Sequence, residues 1–185
     1  MSDVSASPPR LHYGWIVAGV AFFAMLVAAG VRSAPSVMIV PMEHEFGWSR
    51  AAISLPISIG LLFYGLIGPF SAGFLERFGA RAVTLVAMVL LIVGLGPTVW
   101  ATRTWELIPL WGVFAGSGTG IIAMILAAHI SSRWFVRRRG LVLGILSGSV
   151  AAGNLIFLPL LANITVDVGW RWAVVAICAV VLVAI

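Results

Sequence analysis

The sequence contains little charge of either sign and no lysine at all. Only 9% of its 185 residues are charged, whereas 62% are hydrophobic. A soluble domain carries about 25% charged residues, and a chain of this length cannot hide so much apolar surface from water. The composition therefore excludes a soluble globular domain and predicts a protein of the lipid bilayer.

Other absences narrow the class further. Cysteine occurs once, at Cys178, so the chain cannot form an internal disulfide. The apolar runs are long and continuous, and they lack the alternation over about ten residues that marks the strands of a membrane β-barrel. The first residues lack the basic region and cleavage site of a signal peptide. The sequence thus predicts an all-α polytopic membrane protein whose first span is retained.

The sequence also lacks the residue sets that enzymes and metal sites require. It has no HExxH motif, no cluster of cysteine and histidine, and no pair of carboxylates within one apolar run. We therefore expect no enzyme activity, no metal and no cofactor. The net charge of +5 comes from arginines. Because they fall mostly between apolar runs, they are expected to set membrane orientation rather than to bind nucleic acid.

Six apolar runs divide the chain and are expected to form one bundle over residues 12–185. A membrane helix needs about 20 residues, and the first five runs are long enough. Pro35 and Pro41 are expected to bend or end the first span. The sixth run has only fourteen residues, so we expect the sequence to be a fragment of a longer protein. The predicted spans, after a polar tail at residues 1–11, are residues 14–40, 51–75, 82–101, 107–131, 140–164 and 172–185.

The arginines between the spans are distributed unevenly over the two membrane faces. If successive spans alternate in direction, one face receives seven arginines and the other three. Cytoplasmic loops carry the excess of positive charge, so the richer face and the N-terminus are predicted to be cytoplasmic. The richer face holds Arg10, Arg77, Arg81, Arg133, Arg137, Arg138 and Arg139, and the other holds Arg50, Arg103 and Arg171.

Arg32 lies within the first span and belongs to neither face. An arginine near the middle of a bilayer costs about 2.5–3.5 kcal/mol on insertion scales, so such residues are usually functional. At helical spacing its face carries Ala28, Ala29, Pro35 and Ser36, which suits a water-filled cavity. A fixed cation there would bind an anion, especially a carboxylate, through paired hydrogen bonds. The alternative is an arginine whose side chain extends to the outer interface.

Other polar and small residues within the spans are further candidates. Tyr64 and Asn154 need hydrogen-bond partners, which a substrate or a neighbouring helix can supply. His129 is a candidate proton relay, although a histidine near an interface is also simply tolerated there. Glycines at four-residue spacing predict smooth helix faces for close packing. They are Gly112, Gly116 and Gly120 in the fourth span and Gly140, Gly144 and Gly148 in the fifth.

Residues 72–81 form a short charged turn between the second and third spans. Three charges and one glycine lie within residues 76–81, which predicts a tight loop at a membrane surface. The pattern resembles the motif between the second and third helices of the major facilitator superfamily, which reads small–x–x–x–acid–Arg–x–Gly–x–basic. The matching residues are Ala72, where glycine is usual, Glu76, where aspartate is usual, and Arg77, Gly79 and Arg81.

Four other segments are similar to bacterial members of the monocarboxylate porter-like branch of this superfamily. They are residues 12–15, 30–35, 46–50 and 133–140. The resemblance implies twelve helices in two six-helix bundles, each built from inverted three-helix repeats. This chain matches the N-terminal bundle with its sixth helix truncated.

The resemblance also implies a function. It implies a secondary active transporter of the bacterial inner membrane that moves a small organic anion, a monocarboxylate in particular, as a symporter with H+ or as an antiporter. Arg32 is then the nearest candidate for the anion site. Glu76 would pair with the nearby arginines and meet a helix end of the second bundle when the gate closes. Two alternatives remain: a transporter of neutral or drug-like solutes, and a membrane sensor with the same fold that does not transport.

Overall fold

The computed structural model describes residues 11–122, 124–135 and 139–185, and every regular element within these ranges is helical. The predicted all-α class is confirmed. Arg10, Arg137 and Arg138 lie outside the described residues. The α-helices are α1 (Leu11–Phe46), α2 (Arg50–Leu95), α3 (Gly116–Ile122), α4 (Met124–Trp134), α5 (Arg139–Asp167) and α6 (Trp170–Val183). Between α2 and α3 lie 3₁₀ turns at Gly96–Trp100 and Thr104–Glu106 and a π-helical segment at Ile108–Ala115.

Four helical stretches of the described chain are long and apolar enough to cross a membrane. The second has 51 residues and would measure about 76 Å if straight, more than twice a hydrocarbon thickness of about 30 Å. It is broken at Gly79 and therefore accounts for two of the predicted spans. The apolar helix α6 is shorter, with 14 residues. The four stretches are Gly14–Phe46, Arg50–Trp100, Thr104–Trp134 and Arg139–Asp167.

The break in α2 occupies a single residue. Gly79 has φ 80° and ψ 159°, a backbone conformation that is essentially restricted to glycine. Glu76 and Arg77 before it are still helical, and so is Arg81 after it. The charged turn is therefore tighter than the predicted loop, because one glycine reverses the chain and no further residue leaves the helices.

The helix α1 passes through Pro35 and Pro41 and ends at Phe46. Neither proline ends the helix, which was one of the two expected effects. A proline within a helix removes one backbone hydrogen bond. Ser33 and Ser36 each donate to a backbone carbonyl three residues earlier, at 2.9 and 2.6 Å, which adds local hydrogen bonds beside Pro35. The helix extends beyond the predicted span.

The two arms of α2 run in opposite directions along the same neighbour, the segment that contains α3. Along the first arm, higher-numbered residues contact higher-numbered residues of the neighbour, so the two run parallel. Along the second arm, higher-numbered residues contact lower-numbered residues of the neighbour, so the two run antiparallel. The closest pairs are Gly60 with Gly116 and Tyr64 with Gly120 in the first arm, and Leu91 with Gly118 and Gly94 with Ala115 in the second. The turn at Gly79 is thus a true reversal between antiparallel helices.

The ends of the helices form two opposite ends of the bundle. At one end the rings of Trp15 and Phe135 meet, with centroids 5.2 Å apart. Arg81 lies at the same end, since it lines a surface groove together with Ile16. Glu45, at the far end of α1, defines the other end. The helices therefore alternate in direction within the described chain.

At the second end, one carboxylate joins α1 to α6. Glu45 accepts a hydrogen bond from the indole of Trp170 at 2.5 Å, and it pairs with Arg171 at 2.6 Å. The same guanidinium donates to the carbonyl of Val99 at 3.3 Å and lies 5.9 Å from the ring centroid of Phe46. Because both charged side chains are partly exposed, the ion pair contributes at most about 1 kcal/mol. The ion pair therefore adds little to the free energy of folding, and its main effect is to fix the relative positions of the two helix ends.

The glycines of the fourth predicted span provide the close packing that their spacing predicts. A Cβ on Gly116 would lie 2.6 Å from the carbonyl oxygen of Gly60, and one on Gly120 would lie 2.9 Å from that of Tyr64. A Cβ on Gly112 would lie 2.8 Å from the side chain of Ile59. The backbones of α2 and of this segment therefore touch with no side chain between them.

The glycines of the fifth predicted span have different surroundings. A Cβ on Gly140, Gly144 or Gly148 would meet nothing within 4 Å, so the close packing predicted for them does not occur within the described chain. The buried side of α5 includes Leu146 and Gly153 instead. Leu146 follows Gly144 by two positions, which is about 200° around a helix. Four-residue spacing predicted a smooth face but not the direction in which it points.

Replacement of Gly79 by alanine should destabilise the protein by about 1–3 kcal/mol, because a Cβ disfavours the backbone conformation at this position. Thermal unfolding of the detergent-solubilised protein measures the effect. The matched control is Gly73→Ala, which adds the same methyl group within the helix where nothing lies within 4 Å. Equal unfolding midpoints for the two variants would contradict the role assigned to the turn.

Replacement of Gly116 by alanine should destabilise by about 1–3 kcal/mol, because the added methyl group would force two backbones apart. Gly144→Ala should be neutral or slightly stabilising, since alanine favours a helix and its methyl group meets open space. The unfolding midpoints of the two variants, measured side by side, check the assignment. A larger loss for Gly144→Ala would reverse it.

Candidate functional site

Arg32 lies deep along α1, far from both ends of the bundle. It follows Trp15 by 17 residues and precedes Glu45 by 13, which correspond to about 25 and 20 Å of helix. Both distances exceed the reach of an arginine side chain. The guanidinium therefore reaches neither end of the bundle.

The guanidinium of Arg32 faces the ring of Tyr64, 4.9 Å from the ring centroid. Such a cation–π contact contributes about 0.5–1 kcal/mol at an exposed site and fixes the orientation of the cation. Neither of the two ion pairs formed among the described residues includes Arg32. No hydrogen bond within the described part of the chain uses the guanidinium donors either. They are therefore available to an anion.

Arg32 and Tyr64 lie on the wall of a cavity of about 230 Å³ between α1, α2 and the segment that contains α3. Ser58 and Thr119 add hydroxyl groups to the lining. Both hydroxyl protons are already committed to backbone carbonyls: Ser58 donates at 3.0 Å, and Thr119 donates at 2.9 Å. Hence the guanidinium is the principal free hydrogen-bond donor of this cavity within the described chain.

A second, smaller cavity of about 30 Å³ adjoins the first and shares Arg32, Tyr64 and Thr119 with it. Asn154 of α5 closes its other side, and its carboxamide has no hydrogen-bond partner within the described residues. The volume is sufficient for a water molecule, which requires two to four polar neighbours. The structure thus brings all three predicted candidates, Arg32, Tyr64 and Asn154, to one site.

Glycines position two of these side chains. The contact between Gly120 and Tyr64 holds the tyrosine backbone against α3, beside Thr119. On the other side, a Cβ on Gly153 would collide with the carbonyl oxygen of Leu26, so α5 touches α1 just before Asn154. Since both contacts are between backbones, small residues at these positions set the distance between the walls of the site.

The sequence analysis missed two residues of the site. Thr119 lines both cavities, and Trp111 lines the larger one. The indole of Trp111 donates to the hydroxyl of Thr98 at 3.0 Å, which fixes the ring against the wall. The glycine spacing was the available signal, because Thr119 lies directly before a glycine that packs on α2. His129 lines neither cavity, so its role as a proton relay stays a prediction.

Comparison with known proteins identifies the family. A model of the major facilitator superfamily matches residues 21–185. The chain belongs to the major facilitator superfamily. This confirms the resemblance seen in the sequence, and together with the apolar helices it indicates a multi-pass membrane protein.

Its relatives in the superfamily include monocarboxylate transporters. The chain is 29% identical over 182 residues to monocarboxylate transporter 11 of Mus musculus and 32% identical over 168 residues to monocarboxylate transporter 3 of the same species. It is 24% identical over 163 residues to an uncharacterized MFS-type transporter of Bacillus subtilis. These matches cover 98%, 90% and 88% of the chain but only 40%, 33% and 40% of the relatives.

The residues that match the superfamily motif surround the turn at Gly79. Ala72 and Glu76 lie in the last turns of the first arm of α2, and both are exposed. The guanidinium of Arg77 lies 5.5 Å from the ring centroid of Phe78. The local pairing expected for Glu76 does not occur, since neither ion pair of the described chain involves it. The carboxylate of Glu76 is therefore available to pair with a group outside the described helices.

The cavity should admit water-soluble reagents. In a Cys178→Ala background, Ser58→Cys should react with a membrane-impermeant methanethiosulfonate, because Ser58 is exposed and lines the cavity. The matched control is Ser71→Cys on the same helix, where the parent serine is 0% exposed. Mass spectrometry measures the labelled fraction in membranes. Equal labelling of the two cysteines would argue against an open cavity.

Proposed function

We propose that the protein is a secondary active transporter that moves a small organic anion, specifically a monocarboxylate, across a bacterial inner membrane. The observation that carries this proposal is the guanidinium of Arg32, which lines a cavity at mid-helix and has no carboxylate partner among the described residues. The monocarboxylate transporters among its relatives agree with this chemistry.

A single fixed cation favours a ligand with a single carboxylate. Both oxygens of the carboxylate accept hydrogen bonds from the guanidinium, a geometry that arginine provides and lysine does not. The ring of Tyr64 contacts the guanidinium 4.9 Å away and restricts its rotation. The amide of Asn154 and the hydroxyl of Tyr64 add donors on the side of the smaller cavity. Binding of the anion also reduces the electrostatic cost of placing Arg32 in the membrane.

The larger cavity measures about 230 Å³ within the described helices. The coupling that we propose for the solute is symport with H+ or exchange for another anion.

The movement that we propose is alternating access. The described helices would rock, as one bundle, against a second six-helix bundle, for which the greater length of the relatives leaves room. The end that carries Arg77 and Arg81 would face the cytoplasm. There the open carboxylate of Glu76 would meet a helix N-terminus or a cation of the second bundle and hold the cytoplasmic side closed.

Replacement of Arg32 by alanine should abolish the anion site. Hydrogen bonds to charged groups contribute about 1.5–3 kcal/mol, so the KM for a monocarboxylate should rise at least about tenfold. Uptake of radiolabelled acetate and butyrate into proteoliposomes that contain the full-length protein measures this. Arg32→Lys should retain part of the activity because it keeps the charge and loses the paired geometry.

The control for this experiment is Arg103→Ala, which removes an exposed arginine outside both cavities. Its KM should equal that of the parent protein. Unchanged carboxylate uptake in Arg32→Ala would refute the anion site, and uptake of neutral solutes without any inhibition by carboxylates would favour the drug-like alternative.

A further inference from the structure

The π-helical segment between α2 and α3 contributes to the wall of the larger cavity. Its wide turn joins atoms five positions apart, as where the N–H of Gly116 donates to the carbonyl of Trp111. A Cβ on Gly94 would lie 2.7 Å from the nitrogen of Ala115 and 2.8 Å from the carbonyl oxygen of Leu110, a second pair with this spacing. Because Gly94 has no side chain, α2 packs directly against the wide turn. Such turns are rare and occur frequently at functional sites.

The indole of Trp111 is the largest side chain that lines the cavity, and one hydroxyl group holds it in place. The side chain is 3% exposed, and its N–H donates to the hydroxyl of Thr98 at 3.0 Å. The hydroxyl of Thr98 is also buried, and it donates its own proton to the carbonyl of Gly94 at 3.2 Å. This second bond leaves an oxygen lone pair directed to the indole. The N–H of the indole is therefore satisfied while the ring lies against the wall.

Trp111 lies between Arg32 and the end of the bundle that carries Glu45. The carbonyl oxygen of Trp111 would lie 3.0 Å from a Cβ on Gly60. Tyr64, which faces Arg32, follows Gly60 by four residues of α2, or about 6 Å. Since α2 begins at the Glu45 end, a solute that enters from that end reaches the level of Trp111 before it reaches Arg32.

We propose that Trp111 is a gate on the Glu45 side of the cavity and that Thr98 is the positioning residue that holds this gate open. A buried N–H that loses its acceptor shifts an equilibrium by about five- to 150-fold. When the bond to Thr98 breaks, the ring turns into the cavity of about 230 Å³, where its N–H meets water. The turned ring covers the route to Arg32. The gate acts on any solute, and it therefore goes beyond the proposed function.

The test compares the reactivity of two cysteines on either side of the indole in the full-length protein. Both parent side chains line the larger cavity. Thr119 follows Trp111 by eight residues and lies deeper in the cavity, whereas Ser58 lies nearer the end that carries Glu45. In a Cys178→Ala background, Thr119→Cys or Ser58→Cys is labelled with a membrane-impermeant methanethiosulfonate. The reagent is added outside intact cells, and mass spectrometry of the cysteine-containing peptide gives the labelling rate.

Thr98→Val keeps the shape of the side chain and removes the acceptor. It should slow the labelling of Thr119→Cys at least about fivefold and leave that of Ser58→Cys unchanged. Thr98→Ser keeps the hydroxyl group, and both cysteines should then react at the parent rates. Equal slowing at both positions, or an unchanged rate at Thr119→Cys, would overturn the gate. Absence of labelling at Thr119→Cys in the parent protein would equally contradict a gate that is held open.

A double variant separates the gate from damage to the fold. Trp111→Phe has no N–H to satisfy, so nothing drives its ring into the cavity when Thr98 is replaced. Thr98→Val combined with Trp111→Phe should therefore restore the labelling of Thr119→Cys to the rate of the Trp111→Phe single variant. If the double variant stays as slow as Thr98→Val alone, the gate is refuted. The readout involves no carboxylate, so the gate and the anion site stand or fall separately.

Discussion

The backbone contact between α2 and the segment that contains α3 determines the rest of the structure. At Gly60 with Gly116, and at Tyr64 with Gly120, main-chain atoms approach to distances that no Cβ would allow. In a bilayer, apolar side chains gain little by leaving lipid for protein, so helices associate through such smooth contacts rather than through the hydrophobic effect. The same contact positions Tyr64 opposite Arg32, and it thereby builds one wall of the cavity while it holds two helices together.

The remaining wall follows from the pairing of α1 with α5. Gly153 brings the two backbones together directly before Asn154, and on α1 Ala29 lies at the contact. Small side chains on this face leave space around the guanidinium of Arg32 instead of filling it. The contact between Glu45 and Arg171 then holds the far end of α1, so that the helix that carries the cation is fixed both at its middle and at one end.

Much of this arrangement was predictable from the sequence, and the exceptions have physical reasons. The spans, the reversal at Gly79 and the isolation of Arg32 follow from composition and from local rules about charge in membranes. The partners of the glycines do not, because periodicity gives the face of a helix but not the neighbour of that face. Gly116 lies against the backbone of α2, whereas Gly144, which has the same spacing, makes no such contact within the described chain. The position of Trp111, within the π-helical segment, depends on a hydrogen bond to Thr98, which no periodic pattern reveals.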